Sequence, residues 1–465
     1  MAAPSVSTMG SVAVPEEAVQ AFKTGVRGAL LRPGDDGFDA ARKVYNAMID
    51  KHPAMIVRCA GVADVIAAVN FARANNLLVA VRGGGHNVAG KALCDGGIVI
   101  DLSGMRAIRV DPVHRTARAE AGATYREFDH ETQAFGLATT GGTISATGIA
   151  GLTLGGGLGW LMRKYGLACD NLLSVDIVLA DGRFVTASAT ENSDLFWGVR
   201  GGGGNFGIVT SFEYRVHPVG PVLGGMLVHP LPRAREALQF YRDFIESAPD
   251  ELVAIAGMMT SPDGAPIFAI IVCYCGDIAV GEEVIAPLRQ FGPPVADMVR
   301  PMPYTVMQSM LDDGFPNGLQ NYWKSSFLQE ISDDAIDTMI ASFTAAGSPL
   351  AALVIEHCGG AMARVGTDET AFSHREGHSN LLIVSRWADP SEAEAQTRWA
   401  RATWTAMQPF SDGGVYSNYV EGGMEGADRI RAAYGSETYD RLAALKKKYD
   451  PENFFRVNQN IAPSA

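Results

Sequence analysis

An excess of positive charge, a C-x-x-C pair and an apolar run long enough to cross a bilayer are all missing from this sequence. Its 38 lysines and arginines are outnumbered by 51 aspartates and glutamates, for a net charge of −13. Nucleic acid and anionic membrane surfaces repel such a chain, so neither is expected as a partner. The six cysteines (Cys59, Cys94, Cys169, Cys273, Cys275 and Cys358) are scattered, which argues against a zinc site or a disulfide framework. Strand alternation puts Cys273 and Cys275 on one face as small buried hydrophobes. Met1 to Pro15 has no lysine or arginine and no sustained apolar stretch, so it does not read as a secretory signal. A loose N-terminal tail on a cytoplasmic protein is expected. At 465 residues the chain is long enough for two or three domains.

Glycine, by contrast, is clustered. Val81-Arg82-Gly83-Gly84-Gly85-His86-Asn87 follows an apolar run from Leu77, and three glycines there let backbone N–H groups come close to a bulky anion such as a diphosphate. The imidazole behind them can serve as nucleophile, base or ligand. A plain glycine turn with a half-exposed histidine is the competing reading. A second stretch runs from Thr147 to Trp160 and contains Gly148, Gly151, Gly155, Gly156 and Gly157. A third is Arg200-Gly201-Gly202-Gly203-Gly204-Asn205-Phe206-Gly207. None stands in the strand, G-x-G-x-x-G, helix order of a nicotinamide site. Three separated loops suggest a cofactor lying long across one domain.

The elements around them are legible from periodicity. Met55 to Val57 reads as a strand, and Val62, Val65, Ile66, Val69 and Ala72 recur at helical spacing. Leu77 to Val81 reads as the strand that completes a β-α-β unit, and Ile98 to Leu102 reads as another strand. Thr124 with Glu127 forms a capping box opening a helix. Asp181-Gly182 joins strands Val175 to Leu179 and Phe184 to Ala187 as a hairpin, and Ile208 to Val216 closes the region. From about Val222 the glycine clusters stop. Strands Ile267 to Tyr274, Leu353 to Glu356 and Leu381 to Trp387 then alternate with helices Glu236 to Glu246, Asp334 to Ala345, and one after a Ser391 and Glu394 capping box. This predicts an α+β domain with helices on one face of a sheet and the other face free to cover a ligand.

Arg82 to His86, Gly155 to Gly159, Asp194-Leu195-Phe196-Trp197 leading into the Arg200 to Gly207 stretch, and the tail Asp450-Pro451-Glu452-Asn453-Phe454-Phe455 together carry a resemblance. The chain resembles the berberine-bridge-enzyme-like branch of the vanillyl-alcohol-oxidase flavoproteins over nearly its whole length. The resemblance implies an α+β fold: a two-part PCMH-type FAD-binding domain plus a substrate domain with an antiparallel sheet covered by helices. The expected parts are an N-terminal segment (1–48), the FAD-binding domain (49–219), the substrate domain (220–420) and a C-terminal segment (421–465) returning to the FAD domain.

By the same resemblance FAD is held by Arg82, Gly83, Gly84, Gly85, His86 and Asn87, by Thr147, Gly148, Gly151, Gly155, Gly156 and Gly157, and by Ile208 and Asn458. His86 is implied to bond covalently to the 8α-methyl of the flavin, although the glycine loop alone would still bind the pyrophosphate. Bicovalent members carry a second anchoring cysteine where this chain has Ile144, so a single link is expected. Cys169 then reads as a packed thiol. Tyr416 and Tyr419, in Tyr416-Ser417-Asn418-Tyr419, match a motif lining the flavin near N5. In oligosaccharide-oxidising members the second tyrosine is a base helped by a carboxylate, here Glu356. A phenol ionises near pKa ~10, so Tyr419 would have to be pushed down to act alone at neutral pH. The competing reading packs both tyrosines as amphipathic aromatics and leaves Glu356 in a surface ion pair.

A small residue at Thr147 implies access for O₂. The expected function is therefore an FAD-dependent oxidase passing hydride from a small alcohol, sugar or amine to flavin N5 and releasing H₂O₂. A dehydrogenase using a quinone, and a flavin-binding protein without turnover, are the alternatives. Asp101, His130, Asp176 and His357 are set aside: Asp101 as a turn residue, His130 as exposed mid-helix, Asp176 as a strand position beside the hairpin, and His357 as facing away from Glu356.

Overall fold

The computed structural model describes residues 14–376, 379–421 and 426–464, without the side chains of 426–428. Up to residue 13, the N-terminal tail expected at Met1 to Pro15 lies outside them. The first sheet has four strands. Ala29–Leu31 pairs antiparallel with Met55–Arg58, and Ile98–Asp101 lies parallel between Met55–Arg58 and Val79–Arg82. Helix Val62–Ala74 crosses between the first and last of these parallel strands, burying Val65, Ala68, Val69 and Ala72. Because that helix has to return over the sheet, Val79–Arg82 ends with its glycine loop at the sheet's open edge.

A five-stranded antiparallel sheet follows in the order Ile108–Asp111, Thr116–Glu120, Ile208–Arg215, Leu172–Val178, Phe184–Ser188. The hairpin forms as expected, with Val178 opposite Phe184 and Gly182 at φ +82°. The Thr124–Glu127 capping box also forms at the head of helix Tyr125–Gln133. Asp101 accepts from the Ser103 amide at 2.9 Å in a turn, and Asp176 accepts from Arg118 at 2.7 Å and Thr186 at 2.8 Å. His130 is exposed.

The third large sheet is antiparallel throughout. Its main order is Ala296–Asp297, Val222–Pro230, Pro266–Tyr274, Leu252–Thr260, Ala352–His357, Ser379–Trp387, Gln320–Leu328. Helices Ala234–Glu246, Asp333–Thr344 and Ala393–Met407 pack on one face, where Ala254, Ala256, Leu353, Ile355, Leu381 and Ile383 meet them. The opposite face carries Val253, Ile255, Ile271 and Cys273 toward Trp160, Leu158 and Tyr416. This is the α+β arrangement the sequence implied. The Ser391–Glu394 capping box does not form: Asp389 accepts from the Ser391 amide at 2.9 Å one turn earlier, and Glu394 pairs with Arg398 instead.

After Ser436–Tyr449 the chain is fixed by Lys446 and Asp450, both fully buried. Lys446 Nζ donates to Asp450 at 2.6 Å, to the Asn205 carbonyl at 2.7 Å and to the Phe455 carbonyl at 2.8 Å. Asp450 also accepts from the Phe454 and Phe455 amides at 2.7 and 2.9 Å. The buried pair is therefore saturated with partners, as a desolvated charge pair requires.

Candidate active site

A cavity of about 900 Å³ lies between the glycine loops and the free face of the large sheet. Gly83, Gly84 and Gly85, His86, Asn87, Ile144, Thr147, Gly148, Gly151, Gly155, Ile208, Tyr416 and Asn458 line one side; Glu356 and Tyr419 line the other. The site thus collects most of the residues singled out in the sequence.

The glycines serve different ends. A Cβ on Gly84 would sit 2.6 Å from the Gly148 backbone, and one on Gly148 would sit 2.6 Å from Gly84 N, so the two loops touch through bare backbone. A Cβ on Gly151 would meet nothing within 4 Å, and the space it would enter is the cavity itself. Gly155 makes room for the Asn418 side chain, 2.1 Å from where its Cβ would be. Gly156 and Gly157, expected on the cofactor side, do not line the cavity. They adopt φ +118° and +95° and lie against Phe372 and Ala168, so they shape the turn behind the wall. Arg82 is likewise turned away: its guanidinium donates to the Ala41 carbonyl and packs beside Gly85, holding the loop from outside.

His86 stacks on Tyr45 with ring centroids 4.1 Å apart and planes 13° from parallel. Its Nε2 is buried with no partner among the described residues. Burial lowers its pKa to about 4, leaving a neutral imidazole at ordinary pH. Asn458 donates to the Gly204 and Phe455 carbonyls at 3.1 and 3.0 Å, while its Oδ1 is buried and unpartnered among the described residues. Side-chain-free loops, an open face at Gly151 and two orphaned polar atoms form a cradle that fits a long, partly polar cofactor. Cys169 is fully buried and free, as a packed thiol.

On the opposite side, Tyr419 Oη donates to Glu356 Oε1 at 3.2 Å, and Asn380 Nδ2 donates to Glu356 Oε2 at 2.6 Å. Glu356 is 4% exposed and makes no ion pair among the described residues, which removes the surface-bridge reading. Burial raises its pKa to about 7. Tyr419 moves up as well, first through burial and then through the Glu356 charge beside it. The downward push that a lone tyrosine base would need is therefore outweighed by burial and by Glu356. Tyr416 plays a different part. Its hydroxyl oxygen accepts from the Gly157 amide at 3.0 Å, the Leu158 amide at 3.3 Å and Asn418 Nδ2 at 2.8 Å. It is the pin under the glycine run, edge-on to the Tyr419 ring at 4.8 Å. His357 does face away, 3.0 Å from Arg163.

Sequence pattern gives no sign of Tyr45, Asn380 and Arg386 as site residues. Tyr45 precedes the patterned region. Asn380 and Arg386 take their places only from register opposite Glu356 and Asn321.

Residues 53–188 match the model of an FAD binding domain, and residues 415–462 match that of berberine and berberine-like proteins. An FAD-linked oxidoreductase of Dictyostelium discoideum is 32% identical, spanning 96% of this chain and 97% of its own. The (R)-6-hydroxynicotine oxidase of Paenarthrobacter nicotinovorans is 31% identical over 94% and 97%. The crystal structure of 6-hydroxy-D-nicotine oxidase from Arthrobacter nicotinovorans matches with a TM-score of 0.87 and 30% identity, covering 94% of this chain and 98% of that one. This chain belongs to the berberine-like FAD-linked oxidoreductases: residues 53–188 form an FAD binding domain, and the protein is an FAD-dependent oxidoreductase.

Proposed function

We propose that this protein is an oxidase of a small organic molecule, alcohol, sugar or amine, with O₂ as acceptor and FAD joined to His86 by a single covalent bond. The observation that carries the reading is the buried Asn380–Glu356–Tyr419 hydrogen-bond chain opening onto an FAD cradle. FAD, when bound, supplies the two-electron acceptor that O₂ recharges, giving H₂O₂.

The protein's part is the proton. Tyr419 already donates to Glu356, so its oxygen can accept the substrate O–H or N–H proton as its own proton passes to the carboxylate. A free phenolate is disfavoured by burial and by Glu356, so the two transfers are coupled. Asn380 fixes the carboxylate, leaving Oε1 for the tyrosine. With a pKa of about 7, Glu356 is a stronger proton acceptor than a solvated carboxylate and is still half ionised at neutral pH.

His86 supports the single link because its Nε2 is neutral, buried and unclaimed by any described residue. Ile144 on the cavity wall cannot supply a second bond, and Thr147 leaves its part of the wall to a small side chain. Acid precipitation tests the link: yellow colour should stay with the wild-type pellet and leave that of His86→Ala. Colour lost to the supernatant in both would remove the covalent bond and keep the FAD site. Mixing substrate-reduced enzyme with air-saturated buffer tests the acceptor, with rapid reoxidation and one H₂O₂ per substrate expected. Reoxidation by a quinone alone would make the protein a dehydrogenase.

A further inference from the structure

The sheet side of the cavity carries a charge that the proton chain does not use. Along Ser379–Trp387 alternation puts Asn380, Leu382, Val384 and Arg386 on one face. Asn380 stands opposite Glu356, Val384 opposite Ala352 and Trp323, and Arg386 opposite Asn321. At about 3.3 Å per residue, the Glu356–Asn380 row and the Arg386–Asn321 row lie roughly 20 Å apart at Cα. The floor between them is formed by Val354, Leu382, Ala352, Val384 and Trp323, all on the cavity lining and all apolar.

Arg386 is 7% exposed, yet it reaches that lining. Its Nε donates to the Leu350 carbonyl at 3.2 Å, a second nitrogen donates to the Gly314 carbonyl, and the guanidinium lies 4.2 Å from the Phe315 ring centroid. These acceptors are neutral. Among the described residues no carboxylate acts on it, and the one titratable side chain whose charge reaches it is Tyr45. The Tyr45 hydroxyl is itself buried and without a partner among the described residues, and the Arg386 charge bears on it in turn. A desolvated cation offset only by carbonyls, beside an unused hydroxyl donor, is completed by an anion.

We propose that Arg386 recognises a carboxylate on the substrate, whose apolar body lies across the floor toward Tyr419 and Glu356. The orientation rests on the reading of Tyr419–Glu356 as the reacting end. Val354, Leu382, Ala352, Val384 and Trp323 make the lining between the two polar ends mainly apolar, so the substrate class is an apolar alcohol or amine bearing a carboxylate.

The test uses FAD-loaded protein titrated with 2-naphthoate and with 2-naphthamide, isosteres that differ in charge, and reads the shift of the flavin absorbance band. In the wild type 2-naphthoate should bind about tenfold more tightly than 2-naphthamide, as a charge-assisted contact in a desolvated site implies. Arg386→Gln should bring that ratio to about one without weakening 2-naphthamide, while Arg386→Lys should keep part of it, separating charge from folding. FAD content and melting temperature of each variant confirm an intact fold. Equal binding in the wild type, a ratio unchanged in Arg386→Gln, or no binding of either probe would overturn the proposal. No turnover is needed, so a protein that shows this pattern but oxidises nothing refutes the oxidase reading alone.

Discussion

The two walls of the cavity are made in opposite ways. The FAD wall gains its shape by leaving side chains out: Gly84 and Gly148 meet backbone to backbone, and Gly151 presents nothing to the space in front of it. The sheet wall gains its chemistry from side chains set at two-residue intervals, with Glu356 and Arg386 at its polar ends. One wall suits a fixed partner that recurs in every turnover. The other is set residue by residue, and this difference in construction predicts that cofactor and substrate recognition are separable.

That division predicts different failures on the two sides. The largest effect is expected from Glu356→Gln, which removes the proton acceptor: kcat/KM should fall by about 10²–10⁴ with FAD content unchanged. Loss of FAD instead would break the division. In the wild type kcat/KM should rise with pH through about 7, as Glu356 ionises, and this step should vanish in the variant. The same carboxyl links stability to pH. Its folded pKa lies above the unfolded one, so the folded state holds an extra proton between about 4.5 and 7 and loses relative stability as pH rises across that window. Urea unfolding should therefore find Glu356→Gln gaining on the wild type between pH 5 and pH 8, by at most about 3 kcal/mol.

On the other wall, Gly148→Ala drives a methyl into Gly84 and should cost about 1–3 kcal/mol in unfolding, with FAD loading reduced. Tyr416→Phe removes the acceptor of two buried amides, so a stability loss of about 1–3 kcal/mol is expected, with a smaller change in kcat than in Tyr419→Phe. Gly151→Ala sharpens the comparison most finely. It should raise the melting temperature of FAD-free protein slightly, as alanine favours the Ile149–Leu154 helix, and lower only that of the loaded form. A drop in both would show that Gly151 supports packing rather than cofactor.

The glycine wall was readable from the sequence because runs such as Gly83-Gly84-Gly85 have few other uses, and the Thr124–Glu127 box and the Asp181-Gly182 turn are local signals that held. The sheet wall was legible only in part. All nine residues of Gln320–Leu328 are buried, yet five of them are polar (Gln320, Asn321, Lys324, Ser325 and Ser326), so neither an apolar run nor an alternation marks the strand. Leu252–Thr260 is hidden differently: it is buried over its first seven residues and reads as an apolar run without alternation. Gly156 and Gly157 carried the right residue type in the right stretch, yet their backbone serves the turn behind the cavity. The role of Tyr416 was equally out of reach, since Gly157 and Leu158 are more than 250 positions away from it.

That separation in sequence bears on how the protein is made. Asn205, in the third glycine loop, donates to the Gln459 carbonyl at 3.1 Å, accepts from the Ile461 amide at 3.0 Å and offers its own carbonyl to Lys446 at 2.7 Å. During synthesis the loop emerges some 250 residues before the segment that fastens it. The FAD cradle is thus left unfinished on the ribosome until the last turns of the chain arrive. A chain cut short before Lys446 would carry every glycine of the cradle but hold Asn205 only through the Gly202 carbonyl of its own loop.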